Sequence, residues 1–287
     1  MKWTEDRSNN VEDRRGQSGK GAGIFGGGLA TIIIAAVVFF LGGNPSEILS
    51  SGISTNIPQT TERQTASSEE DEKIYQFVSM LTAENEQTWE QIFRENGRTY
   101  RPAKVVLFTQ TTQSGCGTAQ SAMGPFYCPA DETIYMDMSF FQELQTRYGA
   151  KTSEFTIAYV LAHEVGHHIQ NLLGTLSETE KMRRSGRYTE AQMNRVSVAT
   201  ELQADFYAGL WARHSNEREN YLTPQDIEAA ISAAEAVGDD NIQKRAQGYV
   251  VQEAFTHGSS AQRKEWFLRG YESNDINKGN TFEILLK

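Results

Sequence analysis

The apolar positions fall mostly into helical spacing. Ile74, Phe77, Val78 and Leu81 recur at i, i+3, i+4 and i+7, the stripe of an amphipathic helix. Thr82 is placed to cap a second helix carrying Trp89, Ile92 and Phe93, with Gly97 as its stop. Period-two and β-branched runs at Lys104–Thr109 and Thr133–Met138 predict two strands. Between them, a Gly- and Pro-containing stretch from Gln113 to Pro129 reads as a long loop. Phe140–Tyr148 reads as a short helix closed by Gly149. Ser153 then caps a longer one that carries Ile157, Val160, Leu161, Val165, Ile169, Leu172 and Leu173 and ends at Gly174. The polar segment Thr175–Thr189 predicts an exposed, mobile connection. Glu190–His214 forms a long helix through Val196, Leu202, Phe206, Leu210 and Trp211, and further helices open at Thr223-Pro224 and at Ser259 or Ser260. The expected class is α+β, mostly helical with a small sheet.

The first 68 residues follow a different pattern. Residues 1–20 show no apolar period and predict a disordered tail. Residues 21–43 are uncharged and contain Ile32 to Leu41, long enough with their flanks to cross ~30 Å of hydrocarbon, so a transmembrane signal anchor is expected there. Arg14, Arg15 and Lys20 precede that run and Glu47 follows it. The positive-inside bias places the N-terminus in the cytoplasm and the remainder on the periplasmic or extracellular side. Residues 44–68, rich in Ser, Thr, Asn, Gln and Pro, read as a linker, leaving 69–287 as the folded domain.

Charge and cysteine content narrow the function. The formal net charge is -10, and all of the acidic excess lies beyond residue 20, which argues against a nucleic-acid partner. Cys116 and Cys128 are the only cysteines, too few for a cysteine-built structural zinc site. In an oxidising compartment they are candidates for a disulfide, with two separate buried thiols as the other reading.

The capped helix contains His163-Glu164-Val-Gly-His167. Residues four apart share a helix face, so His163 and His167 can offer two imidazoles to one zinc ion. Zinc brings the pKa of a bound water to about 7, and Glu164 is placed to take its proton as general base. A catalytic zinc needs a third protein ligand. Glu201 and Asp205 stand four apart on the next long helix, among Ala199, Leu202, Ala204 and Phe206. A buried carboxylate pair calls for a charge or metal partner, so Glu201 is the candidate third ligand and Asp205 the candidate hydrogen-bond partner of a ligand imidazole. His257, on a Gly-containing turn, is a candidate donor to a developing oxyanion; the competing reading is a surface or capping histidine. His168 points about 100° away from His167 on the helix and is expected to pack rather than ligate.

Ser114-Gly-Cys-Gly, Ala122 to Asp131, Ala162 to His168, Glu201 to Asp205 and Thr256 to Ser260 together resemble the bacterial neutral zinc metallopeptidase family, membrane-anchored and zincin-like. The resemblance implies a zincin-like fold, one catalytic zinc on His163, His167 and Glu201, Glu164 as base, and a peptide or protein substrate. Two other classes compete. One is a zinc-binding envelope scaffold or assembly protein that does not turn over. The other is an intramembrane protease, disfavoured because the motif helix carries Glu154, His168, Gln170 and Asn171.

Overall fold

A computed structural model describes residues 1–15, 68–120, 124–138, 140, 154–220 and 222–286. The expected anchor at 21–43, the linker as far as residue 67, the expected Phe140–Tyr148 helix beyond Phe140, and the expected Ser153 cap of the motif helix lie outside them. Among the described residues, no helix is long and apolar enough to cross a membrane.

The fold is α+β and mostly helical. A four-stranded sheet is built from β1 (Val11–Asp13), β2 (Lys104–Phe108), β5 (Phe126–Cys128) and β6 (Thr133–Asp137), in the order β1-β2-β6-β5. β1, β2 and β6 run parallel, and β5 lies antiparallel on the far edge. β3 (Thr111–Ser114) and β4 (Gly117–Gln120) form a separate hairpin. The helices are α1 (Ser68–Glu95), α2 (Glu154–Leu173), α3 (Thr175–Arg184), α4 (Glu190–Glu219), α5 (Pro224–Ala236), α6 (Asp239–Gln247), α7 (Ser260–Tyr271) and α8 (Thr281–Leu285).

Side chains alternate across the sheet, so its two faces bury different sets. Val105, Leu107, Ile134 and Met136 join the main core with α1, α2, α4, α5 and α7. Val106, Phe108 and Tyr135 face the other way and are covered by Ala119 of the hairpin and by Cys128. At the centre α2 packs on α4, and α7 lies along α4. Two glycines permit these approaches. A Cβ on Gly166 would stand 2.9 Å from the Ala204 carbonyl oxygen, and one on Gly209 would stand 2.0 Å from that of Phe267. The first contact brings the α2 motif within reach of Glu201, and the second seats α7 against the same helix.

Several expectations change. Residues 1–15 are not a disordered tail. Val105 N–H donates to the Asn10 carbonyl at 2.8 Å, Arg14 N–H to that of Leu107 at 2.8 Å and Ser8 N–H to that of Ser79 at 3.1 Å, while Trp3 packs its ring on Phe77. The backbone groups of a polar segment are satisfied by the open edge of β2. α1 is one helix, because the Thr82 hydroxyl donates to the Val78 carbonyl one turn back instead of capping a new start. Thr175–Arg184 is helical, although none of its side chains is buried. The stretch read as a loop between the strands contains the hairpin and β5.

Cys116 and Cys128 are bonded, tying the hairpin to the edge strand. The closed loop is short, with a sequence separation of 12. In a chain-entropy model such a crosslink contributes about 3 kcal/mol. The Cys116→Ser/Cys128→Ser variant is therefore expected to unfold at lower denaturant by about that amount, read from chemical melts of oxidised wild type beside the variant. An unchanged midpoint would mean that native strain cancels the crosslink.

Candidate metal centre

α2 and α4 carry the site between them. His163 and His167 lie one turn apart on α2, with ring centroids 4.8 Å from each other. Glu201 reaches across from α4: one carboxylate oxygen is 3.2 Å from His163 Nε2 and the other 3.6 Å from His167 Nε2. One donor atom from each of the three residues lies within 4.8 Å of the others. Two imidazoles and one carboxylate are a standard donor set for a catalytic zinc. The outer ring nitrogens are both engaged, which leaves each Nε2 for the ion. His163 Nδ1 donates to Asp205 Oδ1 at 2.9 Å, and His167 Nδ1 donates to Gln170 Oε1 at 2.9 Å. Such partners fix ring orientation and tautomer. The chemistry and convergence of these donors fit zinc.

Asp205 serves more than His163. It is fully buried and also accepts from the Tyr159 hydroxyl at 2.6 Å. Arg263 of α7 reaches both its oxygens, Nε to Oδ2 at 2.8 Å and Nη2 to Oδ1 at 3.0 Å. Burial opposes the charge on Asp205, but Arg263 and His163 outweigh it and hold the carboxyl down at about 2. For His163, burial is in turn overcome by Asp205, raising its pKa to about 9 among the protein groups alone. Burial also acts against Glu201, yet the charge of His167 and the hydrogen bond from His163 leave it well below the usual carboxylate range. His167 is pushed down, chiefly by burial.

Glu164 differs in environment. Burial raises it to about 7, with the His163 charge and a hydrogen bond from the Tyr127 backbone N–H pulling the other way. A carboxyl near neutrality suits a group that must both take and return a proton. Tyr127 belongs to β5, so the general-base candidate touches the edge of the sheet. His168 explains why that edge sits there. Its Nε2–H donates to the Arg101 carbonyl at 2.6 Å, and its Nδ1 accepts from the Tyr127 hydroxyl at 3.0 Å. The same hydroxyl accepts from Asn171 at 3.0 Å. The doubled histidine therefore divides its work: His167 faces the metal site and His168 pins the edge strand to the motif helix.

His257 lies on the turn before α7 and is half-buried. Its Nδ1 stands 3.1 Å from Asp239 Oδ1, and the other Asp239 oxygen accepts the backbone N–H groups of Thr256, His257 and Gly258. Burial works to lower its pKa, but Asp239 and the nearby charge of Glu201 leave it raised. Thus His163, Glu164, His167, Glu201, Asp205 and His257, all six residues singled out for chemistry, gather in one region, along with Arg263, Tyr159, Gln170 and Asp239, which carried no periodic or motif signal of their own.

Replacing Glu201 by Ala is expected to weaken zinc binding by more than about 100-fold, beyond the 10–100-fold typical of outer-shell changes. Competition with a chromophoric chelator reads this, and undiminished affinity would remove Glu201 from the site.

Comparison with known proteins accords with this geometry. YpfJ of Escherichia coli K12, an uncharacterized protein, is 42% identical over 98% of this chain and 99% of its own length. Rv2575 of Mycobacterium tuberculosis H37Rv, also uncharacterized, is 44% identical over 64% of this chain and 63% of its own length. No solved structure matches the chain significantly. A family model described as "Putative neutral zinc metallopeptidase" matches residues 1–282, and the chain belongs to that family.

Proposed function

We propose that the chain hydrolyses peptide bonds in a peptide or protein substrate, with one zinc ion as its cofactor. The observation that carries this reading is the placement of Glu164, buried, near neutrality in pKa and adjacent to the His163–His167–Glu201 donor set. Zinc bound there would supply a Lewis acid and bring the pKa of a coordinated water to about 7. Glu164 takes the proton of the attacking water and returns it to the amine nitrogen as the carbon–nitrogen bond breaks. Asp205, Arg263 and Gln170 keep the two imidazoles in place throughout. β5 is the last strand of the sheet among the described residues, and an extended substrate backbone would lie along it beside Glu164. His257, held by Asp239, donates through Nε2 to the oxygen of the attacked carbonyl as charge develops on it.

Digestion of a peptide library by the zinc-loaded protein, beside a chelated control, tests the reading. Zinc-dependent cleavage is expected. No cleavage by fully loaded protein would favour a zinc-binding scaffold instead. Within an active enzyme, His257→Asn is expected to lower kcat by about 10²-fold with little change in KM, the pattern of an interaction made in the transition state. An unchanged kcat would return His257 to a capping role.

A further inference from the structure

The N-terminal segment is a structural part of the domain that carries the metal site. Beyond the β1–β2 pairing, the Thr4 hydroxyl donates to Glu84 at 3.1 Å and the Ser79 hydroxyl donates to the Ser8 carbonyl at 2.9 Å. Arg15 Nη1 lies 3.2 Å from Asp71 Oδ1, and Nη2 donates to the Asp71 backbone carbonyl at 2.6 Å. The chain therefore departs after Arg15 and re-enters at Ser68 on the same edge of the fold.

We infer that residues 1–15 and the metal-site domain share one compartment, on the oxidising side of any bilayer the chain engages. Backbone hydrogen bonds between β1 and β2 cannot form across ~30 Å of hydrocarbon. A single crossing between Arg15 and Asp71 would set those partners on opposite faces. Two crossings are not available either: the uncharged stretch 21–46 spans about 39 Å as a helix, against the ~60 Å that two passages need. The charge bias toward a cytoplasmic N-terminus is also weaker than the bare sequence shows. Arg14 pairs with Glu12 at 2.8 Å, and Arg15 pairs with Asp13 at 2.6 Å and with Asp71. Two of the three cations that would hold the N-terminus inside are thus committed to carboxylates of the fold. The Cys116–Cys128 bond selects the side, because disulfides persist where thiols are not kept reduced. A shared compartment departs from the expectation of a cytoplasmic tail followed by one crossing into the domain, and it does not depend on turnover at the metal site.

Cysteine labelling of the full-length chain tests the inference. Asn9 and Glu265 are exposed, and both native cysteines are bonded, so Asn9→Cys and Glu265→Cys each introduce one free thiol. Both variants are treated in intact spheroplasts with a membrane-impermeant maleimide and again after lysis. Equal labelling of the two positions before lysis, with no increase after it, is the expected result. Labelling of Glu265→Cys alone before lysis would overturn the shared compartment. Protection of both until lysis would overturn the oxidising side. Non-reducing gel mobility of each variant confirms that the Cys116–Cys128 bond has formed, so that reshuffling is not read as topology.

Discussion

Glu164→Gln is expected to keep zinc bound and to lower peptide hydrolysis by about 10²–10⁴-fold, the range supplied by a positioned general base. Gln is nearly isosteric and still accepts the Tyr127 backbone N–H through its amide oxygen, so the edge strand keeps its anchor. It cannot accept a proton. His163, His167 and Glu201, the donor set for the ion, are untouched. Matched zinc stoichiometry in the two proteins, together with kcat/KM on one library-derived peptide, separates loss of chemistry from loss of metal. Equal rates at equal zinc content would remove Glu164 from the reaction. Zinc loss in the variant would instead show that the carboxylate helps to hold the ion.

Arg263→Met is expected to cost about 3–5 kcal/mol, the usual price of removing one member of a buried, hydrogen-bonded ion pair. The loss arises because Asp205 remains, fully buried, with only the Tyr159 hydroxyl and His163 Nδ1 to satisfy it. Removing both charges should hurt less. Asp205→Asn/Arg263→Met is therefore expected to recover part of the stability, and a double-mutant cycle in chemical denaturation measures the coupling. The pH dependence has a definite sign. Asp205 is held at about 2, below its ordinary 3.8, so its contribution is present above the unfolded value and fades as pH falls through the folded one. Without Arg263 the folded pKa rises, and acid unfolding should begin at higher pH. Additive single-mutant costs would show that the pair is not coupled.

The parts of the site that were legible in the sequence are those that a helix makes periodic. His163, Glu164 and His167 follow from i, i+4 spacing, and Glu201 with Asp205 from the same spacing amid small apolar neighbours. Arg263 was not legible. It is 58 residues from Asp205, and an arginine in an amphipathic helix ordinarily marks the solvent side. Gln170 and Tyr159 share the motif helix, but their roles depend on what α4 and α7 bring to them. The fold shows the same division. The α2 and α4 helices and the two apolar strands were readable, and α1 was readable as helix but not as one piece, whereas β1, Val11–Asp13, holds one apolar residue in three and takes its identity from the edge it joins. β5 is equally short and lies in a segment broken by Gly and Pro.

The three candidate ligands come from two helices, His163 and His167 from α2 and Glu201 from α4, and this has a consequence for how long the protein lasts. A metal that binds only the folded arrangement adds about 4 kcal/mol to stability at a thousand times its dissociation constant. Zinc held there would act as a crosslink whose strength follows the free zinc around it. When zinc is scarce, the α2–α4 junction loses that support, and chains without metal open more often to the proteases around them. The pool of this protein would then be trimmed to the copies that carry zinc.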